Sequence, residues 1–551
     1  MQGIPVLILS KESRRTTGRE AMTSNIMAIM AVAELLRTSL GPRGMDKMLV
    51  DSVGDVVITN DGAEIAKKIE VEHPAAKIVI QAAKTQDSET GDGTTTVVVL
   101  IGELLKKSKE LLEKGIHPAH IVNGYRLASE KAIKVIKEIE ISVRSDEDLK
   151  NIAMTAMASK VVSADREALA KIAVEAVKSV AEKQNGKVTV NLDNIKVVKK
   201  EGAKISETKL VKGVILDKEL AHPDMPKEIN NPKILLTNAP LEVEKTEFDA
   251  HIRIDSPDEI QLFKKQEEKM VLDMVEKIVK SGANVVLSQK GINDIAKSFL
   301  AKNGIMAVAR VNKKDIERLA KAAGARILTS LEEIPEDALG EAEKVREVKI
   351  GDSKFVFIEG CKNSKAISIL LRAGTKMVVE EAERALHDTL FVVKDVVEDG
   401  TFVVGGGAIE AEIAKRIRDY SESVSGKAQL AVKIFADAIE VIPRALSENA
   451  GLSVIDIISE LRKAHNEGNI YAGINLKTGK VENLLDAGVI EPTRVKVQAL
   501  KTASEVARMI LRIDDVIASK RKAPPRPPGG PGGYGGPAGM GGFGGGMPPG
   551  M

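Results

Sequence analysis

The chain has 551 residues, and its 81 basic and 79 acidic residues give a formal net charge of +2, which argues against a nucleic-acid partner. This length predicts several domains, and the one cysteine, Cys361, excludes an internal disulfide and a multi-cysteine zinc site and is typical of a reducing cytosol. No apolar run approaches the length of a membrane span, so we expect a cytoplasmic protein with no membrane partner.

The first predicted elements lead into two loops suited to ligand binding. A helix over residues 21–39 ends at Leu40-Gly41-Pro42-Arg43-Gly44, where glycines on both sides of a proline are typical of a rigid, exposed loop. A strand from residue 56 then runs into the turn Asn60-Asp61-Gly62, with Asp61 at the strand's exit. Ligands often bind at such exits, although an ordinary turn would explain this motif equally well.

Residues 91–96, Gly-Asp-Gly-Thr-Thr-Thr, precede an apolar run over residues 97–101 and are the most informative motif in the chain. The glycines let the backbone approach a ligand closely, and the hydroxyls and first amides of a new helix offer donors to an anion. Asp92 would repel a phosphate, so a divalent cation must lie between them. The motif therefore predicts a magnesium–triphosphate site; a Gly-rich turn without function is the alternative.

The remaining elements change character twice along the chain. Helical patterns over residues 103–114 and 127–139 give way, from residue 213, to short apolar runs alternating with helices, and helices return after residue 366. The alternation predicts an α/β domain with some parallel strands. Its predicted strands cover residues 234–236, 285–287 and 307–309, and its helices cover 292–302 and 313–323.

One further segment of this region forms a predicted helix of its own. An extended stretch over residues 248–254 leads to a capping box of Ser256 and Glu259, with Pro257 at the first helical position. The apolar periodicity continues to Ile278, and we expect this helix to stand free of the α/β core, with an ordinary surface helix as the alternative. Residues 522–551 are rich in proline and glycine and are predicted to be disordered.

In their order and spacing, LGPRG (40–44), TNDGA (59–63) and GDGTTTVVVL (91–100) closely resemble the nucleotide-binding half of a group II chaperonin, the thermosome type. The resemblance extends to about residue 519 through GYRLA (124–128), KM (269–270), EGC (359–361), ALHD (385–388), GGG (405–407), AGL (450–452), AGVIEP (487–492) and LRIDD (511–515).

The resemblance implies a multidomain fold, α/β and mainly helical. An equatorial domain would comprise residues 1–145 and 404–521, an intermediate domain 146–213 and 369–403, and an apical domain 214–368. Within the apical domain, a helical protrusion at about 246–279 would form a built-in lid over a central cavity, and the tail of residues 522–551 would project into that cavity.

The resemblance also implies ATP and Mg²⁺ as cofactors, in a chain that has no Walker motif. Asp61 and Asp388 would orient or deprotonate the attacking water, and Asp92 would hold the magnesium. Lys160 would sense the γ-phosphate, while Gly406, Glu491 and Asn475 would contact the base and ribose side. The implied nucleotide-binding residues are Ser39, Leu40, Gly41, Pro42, Gly62, Asp92, Gly93, Thr94, Thr95, Thr96, Lys160, Gly406, Asn475 and Glu491.

Three residues near these motifs have competing interpretations. Asp388 lies in a helical stretch over residues 380–393, where a solvated acidic face is the usual explanation. His387 beside it is expected to be structural. Glu64 stands where the family usually has a threonine, and helical spacing directs it to solvent, away from the triphosphate that it would otherwise repel.

The implied function is an ATP-dependent molecular chaperone subunit that assembles into two stacked rings and assists the folding of non-native polypeptides. It would act as a homo-oligomer or with paralogous subunits, and the predicted edges at residues 6–9 and 47–51 would pair across subunits. A metabolic ATP-dependent enzyme would need an acceptor pocket, for which the sequence offers no second motif. A non-hydrolysing structural subunit of a mixed ring would be free to lose Asp61, Asp92 and Asp388.

Overall fold

The computed structural model describes residues 13–242, 257–362 and 366–519. Its α-helices are α1 (Gly18–Arg37), α2 (Gly62–Lys68), α3 (Pro74–Thr90), α4 (Thr94–Glu113), α5 (Pro118–Ile139), α6 (Asp146–Ala156), α7 (Arg166–Val180), α8 (Pro257–Lys280), α9 (Asp294–Lys302), α10 (Lys313–Ala323), α11 (Lys376–Asp399), α12 (Ala408–Glu422), α13 (Ala428–Ile439), α14 (Val441–Asn449), α15 (Val454–Asn466) and α16 (Thr493–Ile510). In the described part of the chain, no helix combines the length and apolarity needed to cross a membrane.

The strands are short, and each of them lies in a sheet of two to five strands. They are β1 (Ser13–Thr17), β2 (Lys47–Val50), β3 (Val56–Thr59), β4 (Ile141–Ser142), β5 (Ala181–Gln184), β6 (Lys187–Val190), β7 (Ile195–Glu201), β8 (Lys209–Val211), β9 (Gly213–Leu216), β10 (Glu228–Asn230), β11 (Lys233–Thr237), β12 (Val285–Ser288), β13 (Met306–Val308), β14 (Ile327–Leu328), β15 (Gly340–Glu341), β16 (Lys344–Ile350), β17 (Ser353–Glu359), β18 (Ile367–Ala373), β19 (Thr401–Val404), β20 (Ala472–Asn475), β21 (Lys480–Asn483), β22 (Ile490–Pro492) and β23 (Asp515–Ser519).

Both ends of the described chain build one helical core. Helices α1, α3, α4 and α5 pack with α12, α13 and α16 around a single cluster of buried apolar residues, and β1 pairs antiparallel with β23. Tyr125 is wholly buried there, its ring edge-on to Phe435 with centroids 5.4 Å apart. Its hydroxyl donates to the Leu104 carbonyl at 2.7 Å, which satisfies the polar end of a buried aromatic ring. The helices predicted over residues 103–114 and 127–139 are confirmed as parts of α4 and α5.

A second core is built from the two segments that connect the first core to the middle of the chain. Helices α6, α7 and α11 pack around a sheet of order β7-β18-β8. Its parallel pair joins β7 to β18, strands from the two flanks of the chain's middle segment. The segment between them is therefore inserted into this core.

The inserted segment carries a parallel sheet of order β13-β12-β11-β14. Three of these strands are the predicted ones, with β13 beginning one residue earlier than expected. Helix α10 has the predicted bounds, and α9 begins two residues later than predicted because Asn293 caps it. A second, antiparallel sheet of order β10-β16-β17-β9 completes the segment.

Helix α8 begins at Pro257 as predicted, but its last turns do not stand free. Val271, Val275 and Ile278 are almost wholly buried in a cluster with residues of β11 and β12. The expectation that this helix stands free of the α/β core is wrong for those turns, because an apolar stripe of this period must pack against something. The expected cap Ser256 and the stretch over residues 248–254 lie outside the described residues.

Strands β2 and β3 form an antiparallel hairpin, which confirms a strand at the predicted edge over residues 47–51. The hairpin exposes a row of large apolar side chains: Met45, Met48, Val50, Val53, Val56 and Ile58. The other predicted edge, residues 6–9, lies outside the described residues.

Candidate functional site

A cavity of about 570 Å³ brings together every nucleotide-binding and catalytic residue named from the sequence. The loop after α1, the starts of α2 and α4, the segment after α6, the middle of α11 and the loops around β20 and β22 all contribute to its wall. The lining includes Ser39, Leu40, Gly41, Pro42, Asp61, Gly62, Asp92, Gly93, Thr94, Thr95, Thr96, Lys160, Asp388, Gly406, Asn475 and Glu491.

The loop after α1 has a shape that only glycine permits at its centre. Gly41 has φ of +81°, and a Cβ there would lie 2.3 Å from the Leu446 side chain. Asn449 fixes the loop from behind, because its amide donates to the carbonyls of Arg37 and Leu40 at 3.0 and 2.9 Å. The rigid, exposed loop expected from Leu40-Gly41-Pro42 is thus held against α14.

Two helix N-termini converge on the cavity. Helix α4 begins after Gly93, whose φ is +80° and which provides no side-chain cap, so the first amides of α4 face the cavity without one. Helix α2 begins after Asp61, whose carboxylate accepts from the amides of Ala63 and Glu64 at 3.1 and 3.3 Å. A Cβ on Gly62 would lie 2.3 Å from the Thr95 hydroxyl, so the two starts are in contact. The uncapped N-terminus of α4 favours an anion, whereas the first amides of α2 are already bonded to the Asp61 carboxylate.

Gln86 of α3 supports the loop between α3 and α4, which contains Asp92. No motif in the sequence pointed to this glutamine. Its side-chain amide is buried and donates to the backbone carbonyl of Asp92 at 3.0 Å and to that of Val495 at 3.3 Å. Thr90 donates to the same Asp92 carbonyl at 2.9 Å. The Asp92 backbone is therefore fixed from α3, and Asp92 is one of the residues that line the cavity.

The surroundings of the Asp92 carboxyl are suited to binding a cation. It accepts from the Gly93 amide at 2.6 Å. Its removal from bulk water, followed by the charge of Asp388, raises its pKa to about 6. A magnesium ion there would fit, because Mg²⁺ is usually bound by one or two carboxylates plus substrate phosphates. Among the residues described, no cluster of three or more His, Cys, Asp or Glu side chains offers a metal cage.

Lys160, just after α6, lies between the two acids expected to act on water. Its ammonium is 3.0 Å from the Asp388 carboxylate and 3.9 Å from that of Asp61. Burial favours the neutral amine, but the charges of Asp388 and Asp61 outweigh it and raise the lysine pKa above its usual value. Asp388 is only 8% exposed, so a solvated acidic face is the wrong explanation for this residue.

Gly406, Asn475 and Glu491 form a further part of the cavity wall. Gly406 has φ of +62° and packs so closely on Leu484 that a Cβ would lie 2.2 Å from its methyl carbon. The Asn475 side chain donates to Glu482 at 2.7 Å. Glu491 pairs with Lys496 at 2.7 Å, a contact that sequence reasoning missed.

The three other residues considered from the sequence lie outside the cavity lining. Glu64, on α2, is partly exposed, as expected. His387 is 62% exposed at its side chain and stacks obliquely on Phe391, in keeping with a structural role. Burial raises the pKa of Cys361 to about 11, which makes a nucleophilic thiolate unfavourable.

Comparison with known proteins identifies a family and several relatives that match almost the whole chain. The profile of the TCP-1/cpn60 chaperonin family matches residues 32–521. The thermosome subunit beta of Archaeoglobus fulgidus is 56% identical over 522 residues, which cover 94% of this chain and 96% of that protein. The thermosome subunit alpha of the same organism is 54% identical with the same coverage. A thermosome subunit of Pyrococcus horikoshii is 53% identical over 95% of both chains.

A profile match over most of the length and relatives above 50% identity along nearly the whole chain agree with the motifs in the cavity wall. The chain belongs to the TCP-1/cpn60 chaperonin family, and within it to the group II, thermosome type.

Proposed function

We propose that the chain is a magnesium-dependent ATPase subunit of a double-ring chaperone. One observation carries the proposal: the uncapped N-terminus of α4, an acid suited to magnesium and a lysine between two further acids all line one cavity. This set meets the needs of phosphoryl transfer, which depends on positioning and charge neutralisation more than on covalent chemistry.

Each group has a defined task in ATP hydrolysis. The amides of Gly93 to Thr96 and the loop at Gly41 would hold the phosphates, and Asp92 would hold the magnesium. When bound, the ion would neutralise the charge on the triphosphate. Asp61 and Asp388 would align the attacking water and accept its proton, because both carboxylates face the same ammonium in the same wall.

Lys160 would connect the nucleotide to the rest of the fold. Its ammonium belongs to the second core, as does Asp388, whereas Asp61 begins a helix of the first core. A γ-phosphate would compete with the two carboxylates for this ammonium. Binding and hydrolysis would therefore change the contact between the two cores, which is what ATP-driven closure requires.

The expected domains would be built on the first core, the second core and the inserted segment. The equatorial domain would comprise residues 1–145 and 404–521, the intermediate domain 146–213 and 369–403, and the apical domain 214–368, with a lid that lies before the buried turns of α8. Assembly would bury the exposed apolar hairpin β2–β3 against a neighbouring subunit. The ring would contain copies of this chain, alone or with paralogous subunits of the kind named alpha and beta in one organism. Non-native polypeptides in the cytoplasm would be the clients.

The test is magnesium-dependent ATP turnover by the purified chain and by Asp61→Asn and Asp388→Asn. Asparagine is preferred to alanine because Asp61 caps α2, and asparagine preserves a cap. Each variant is expected to lose roughly 10²- to 10⁴-fold in turnover, the usual contribution of an acid–base group, while still binding ATP. Unchanged turnover in both would refute the assignment of these acids, and sedimentation at monomer size with nucleotide present would refute the ring.

A further inference from the structure

The side chain of Thr59, at the end of β3, connects the backbone of Asp61 to helix α11. Thr59 is the last residue of the strand and is buried. Its hydroxyl oxygen accepts from the Asp61 amide at 3.1 Å and lies 3.3 Å from the carboxylate of Glu381. An amide can only donate and a carboxylate can only accept, so the one hydroxyl proton points to Glu381. Both hydrogen bonds are therefore fixed in direction.

Glu381 is held in place by its own helix. Its side chain is buried, and one carboxylate oxygen, Oε2, accepts from Arg384 at 2.9 Å (from Nε) and 2.7 Å (from Nη2). The other oxygen, Oε1, accepts from Thr59. Because Arg384 lies on the next turn of α11, the carboxylate moves with that helix. Neither Thr59 nor Glu381 is among the residues that line the cavity.

The residue after Thr59 makes a second contact of the same kind. The side-chain amide of Asn60 donates to the carbonyl of Ser159, which directly precedes Lys160. Asp388 lies on α11, about two turns beyond the glutamate that Thr59 contacts. The two residues before Asp61 are thus bonded to the two segments that carry the other charged groups of the site.

These contacts bear on the reaction because the site is shared between two cores. Asp61 begins a helix of the first core, whereas Lys160 and Asp388 belong to the second. The lysine ammonium is 3.9 Å from the Asp61 carboxylate and 3.0 Å from that of Asp388. A displacement of about 1 Å in such a set can cost on the order of 10²-fold in rate. Something must therefore fix Asp61 against the second core.

We propose that Thr59 is a positioning residue: its bond to Glu381 places Asp61 correctly for the alignment of the attacking water. The inference rests on the proposed ATPase function and adds to it a residue that lies outside the cavity lining.

The experiment measures, in the assembled full-length chain, ATP turnover with magnesium and the affinity for a non-hydrolysable ATP analogue. Thr59→Val removes the hydroxyl with little change in shape. Turnover at saturating ATP should fall roughly 10- to 100-fold, while the analogue affinity should stay within about twofold of the wild type. Thr59→Ser keeps the hydroxyl and loses the methyl group, and should restore turnover close to the wild-type value.

The same bond can be removed from its other end. Glu381→Met deletes the acceptor and should lower turnover as Thr59→Val does. The double variant should lose no more than the weaker of the two single variants, because only one bond is involved. Glu381→Met also decides the question if Thr59→Val fails to assemble.

Thr237→Val is the matched control, because Thr237 has the same local arrangement in the inserted segment. It is the buried last residue of β11, and its hydroxyl accepts from the Ala239 amide at 3.0 Å and donates to the Leu328 carbonyl at 3.1 Å. It lies outside the cavity lining. Both valine variants lose a buried hydroxyl and should lower the unfolding temperature, but Thr237→Val should keep wild-type turnover.

The outcomes separate this inference from the proposed function. Wild-type turnover in Thr59→Val or in Glu381→Met would overturn the inference and leave the ATPase in place. Equal losses in Thr59→Ser and Thr59→Val would show a structural role only and would also overturn it, as would a weaker analogue affinity with unchanged turnover at saturation. A wild type that does not hydrolyse ATP would instead refute the proposed function.

Discussion

Protonation of Asp92 should control magnesium-dependent nucleotide binding in the acid range. The carboxyl must be ionised to hold a cation, and its pKa in the free protein is raised to about 6. The raised pKa fixes the sign: affinity is greatest above pH 6 and falls as pH decreases through that value. At pH 5 only about one tenth of the sites would be ionised, which predicts a roughly tenfold loss of affinity relative to pH 7.

The size of the Asp92 pKa shift depends partly on Asp388. Burial is the largest cause, and the charge of Asp388 is the next. Asp388→Asn should therefore lower the Asp92 pKa and move the midpoint of the binding curve to lower pH. The same change frees the Lys160 ammonium, which already favours the ionised form of Asp92, so both effects have one sign. Glu383→Gln removes a charge from the same helix, outside the cavity, and should leave the midpoint unchanged.

The assay is calorimetric binding of a non-hydrolysable ATP analogue between pH 5 and 8, with saturating magnesium and again with a chelator. The nucleotide's own titration is common to all proteins, so the comparison with Asp92→Asn isolates the carboxyl. The variant should show weak binding with little response to magnesium. If the wild type and Asp92→Asn had the same pH dependence, Asp92 would not be the magnesium ligand and the reasoning would fail.

Three further changes test other parts of the structure. Asp61→Ala should lower turnover as Asp61→Asn does, but should also cost about 0.5–2 kcal/mol of stability through the lost helix cap, measured by thermal unfolding of both. Gly41→Ala combines a positive φ with a Cβ 2.3 Å from the Leu446 side chain, and should weaken ATP binding at least tenfold in a titration, whereas Gly54→Ala, strained but in open space, should not. A Gly/Ser linker in place of residues 246–270 should spare ATP turnover and abolish protection of a bound client from protease. A longer replacement, to residue 279, also removes buried Val271 and Val275. It should therefore unfold the α/β segment as well, which circular dichroism would detect. Protection by the shorter variant would refute the lid.

The loops of the site were predictable because each has a local physical cause. Positive φ at Gly41 and Gly93 and the start of α4 after a glycine follow from the residues themselves. The parallel strands of the inserted segment were predictable for the same reason, since alternating apolar runs and helices have few other arrangements. Such features need only a window of a few residues.

Contacts between segments that are far apart in the sequence could not be predicted from such short stretches of residues. The bond from Lys160 to Asp388 spans 228 residues, and only the resemblance to a known family selected either residue. Even the resemblance did not identify Gln86 and Lys496, because their roles depend on which groups contact their side chains in the fold. The buried stripe of α8 was visible as a periodic pattern, but a pattern does not say which surface it will meet.

Helix α11 shows why the acidic residues were the hardest to interpret. Glu381, Asp388 and Asp395 are seven residues apart and therefore share one face of the helix, and all three are buried. Each is held by a group supplied from another segment: Thr59 donates to Glu381 at 3.3 Å, Lys160 to Asp388 at 3.0 Å, and Arg494 to Asp395 at 2.8 Å.

In the sequence this face looks like the solvated side of an ordinary amphipathic helix. In the fold it is the seam that joins α11 to β3, to the segment after α6 and to α16. Buried charges persist only where partners compensate them, so a shift of the helix would separate Asp388 from Lys160 and Asp395 from Arg494, whereas Glu381 would keep its partner Arg384 on the same helix. One of these pairs is the one that a γ-phosphate would disturb, so under the proposed function α11 would be the element through which a change in the nucleotide reaches the inserted α/β segment.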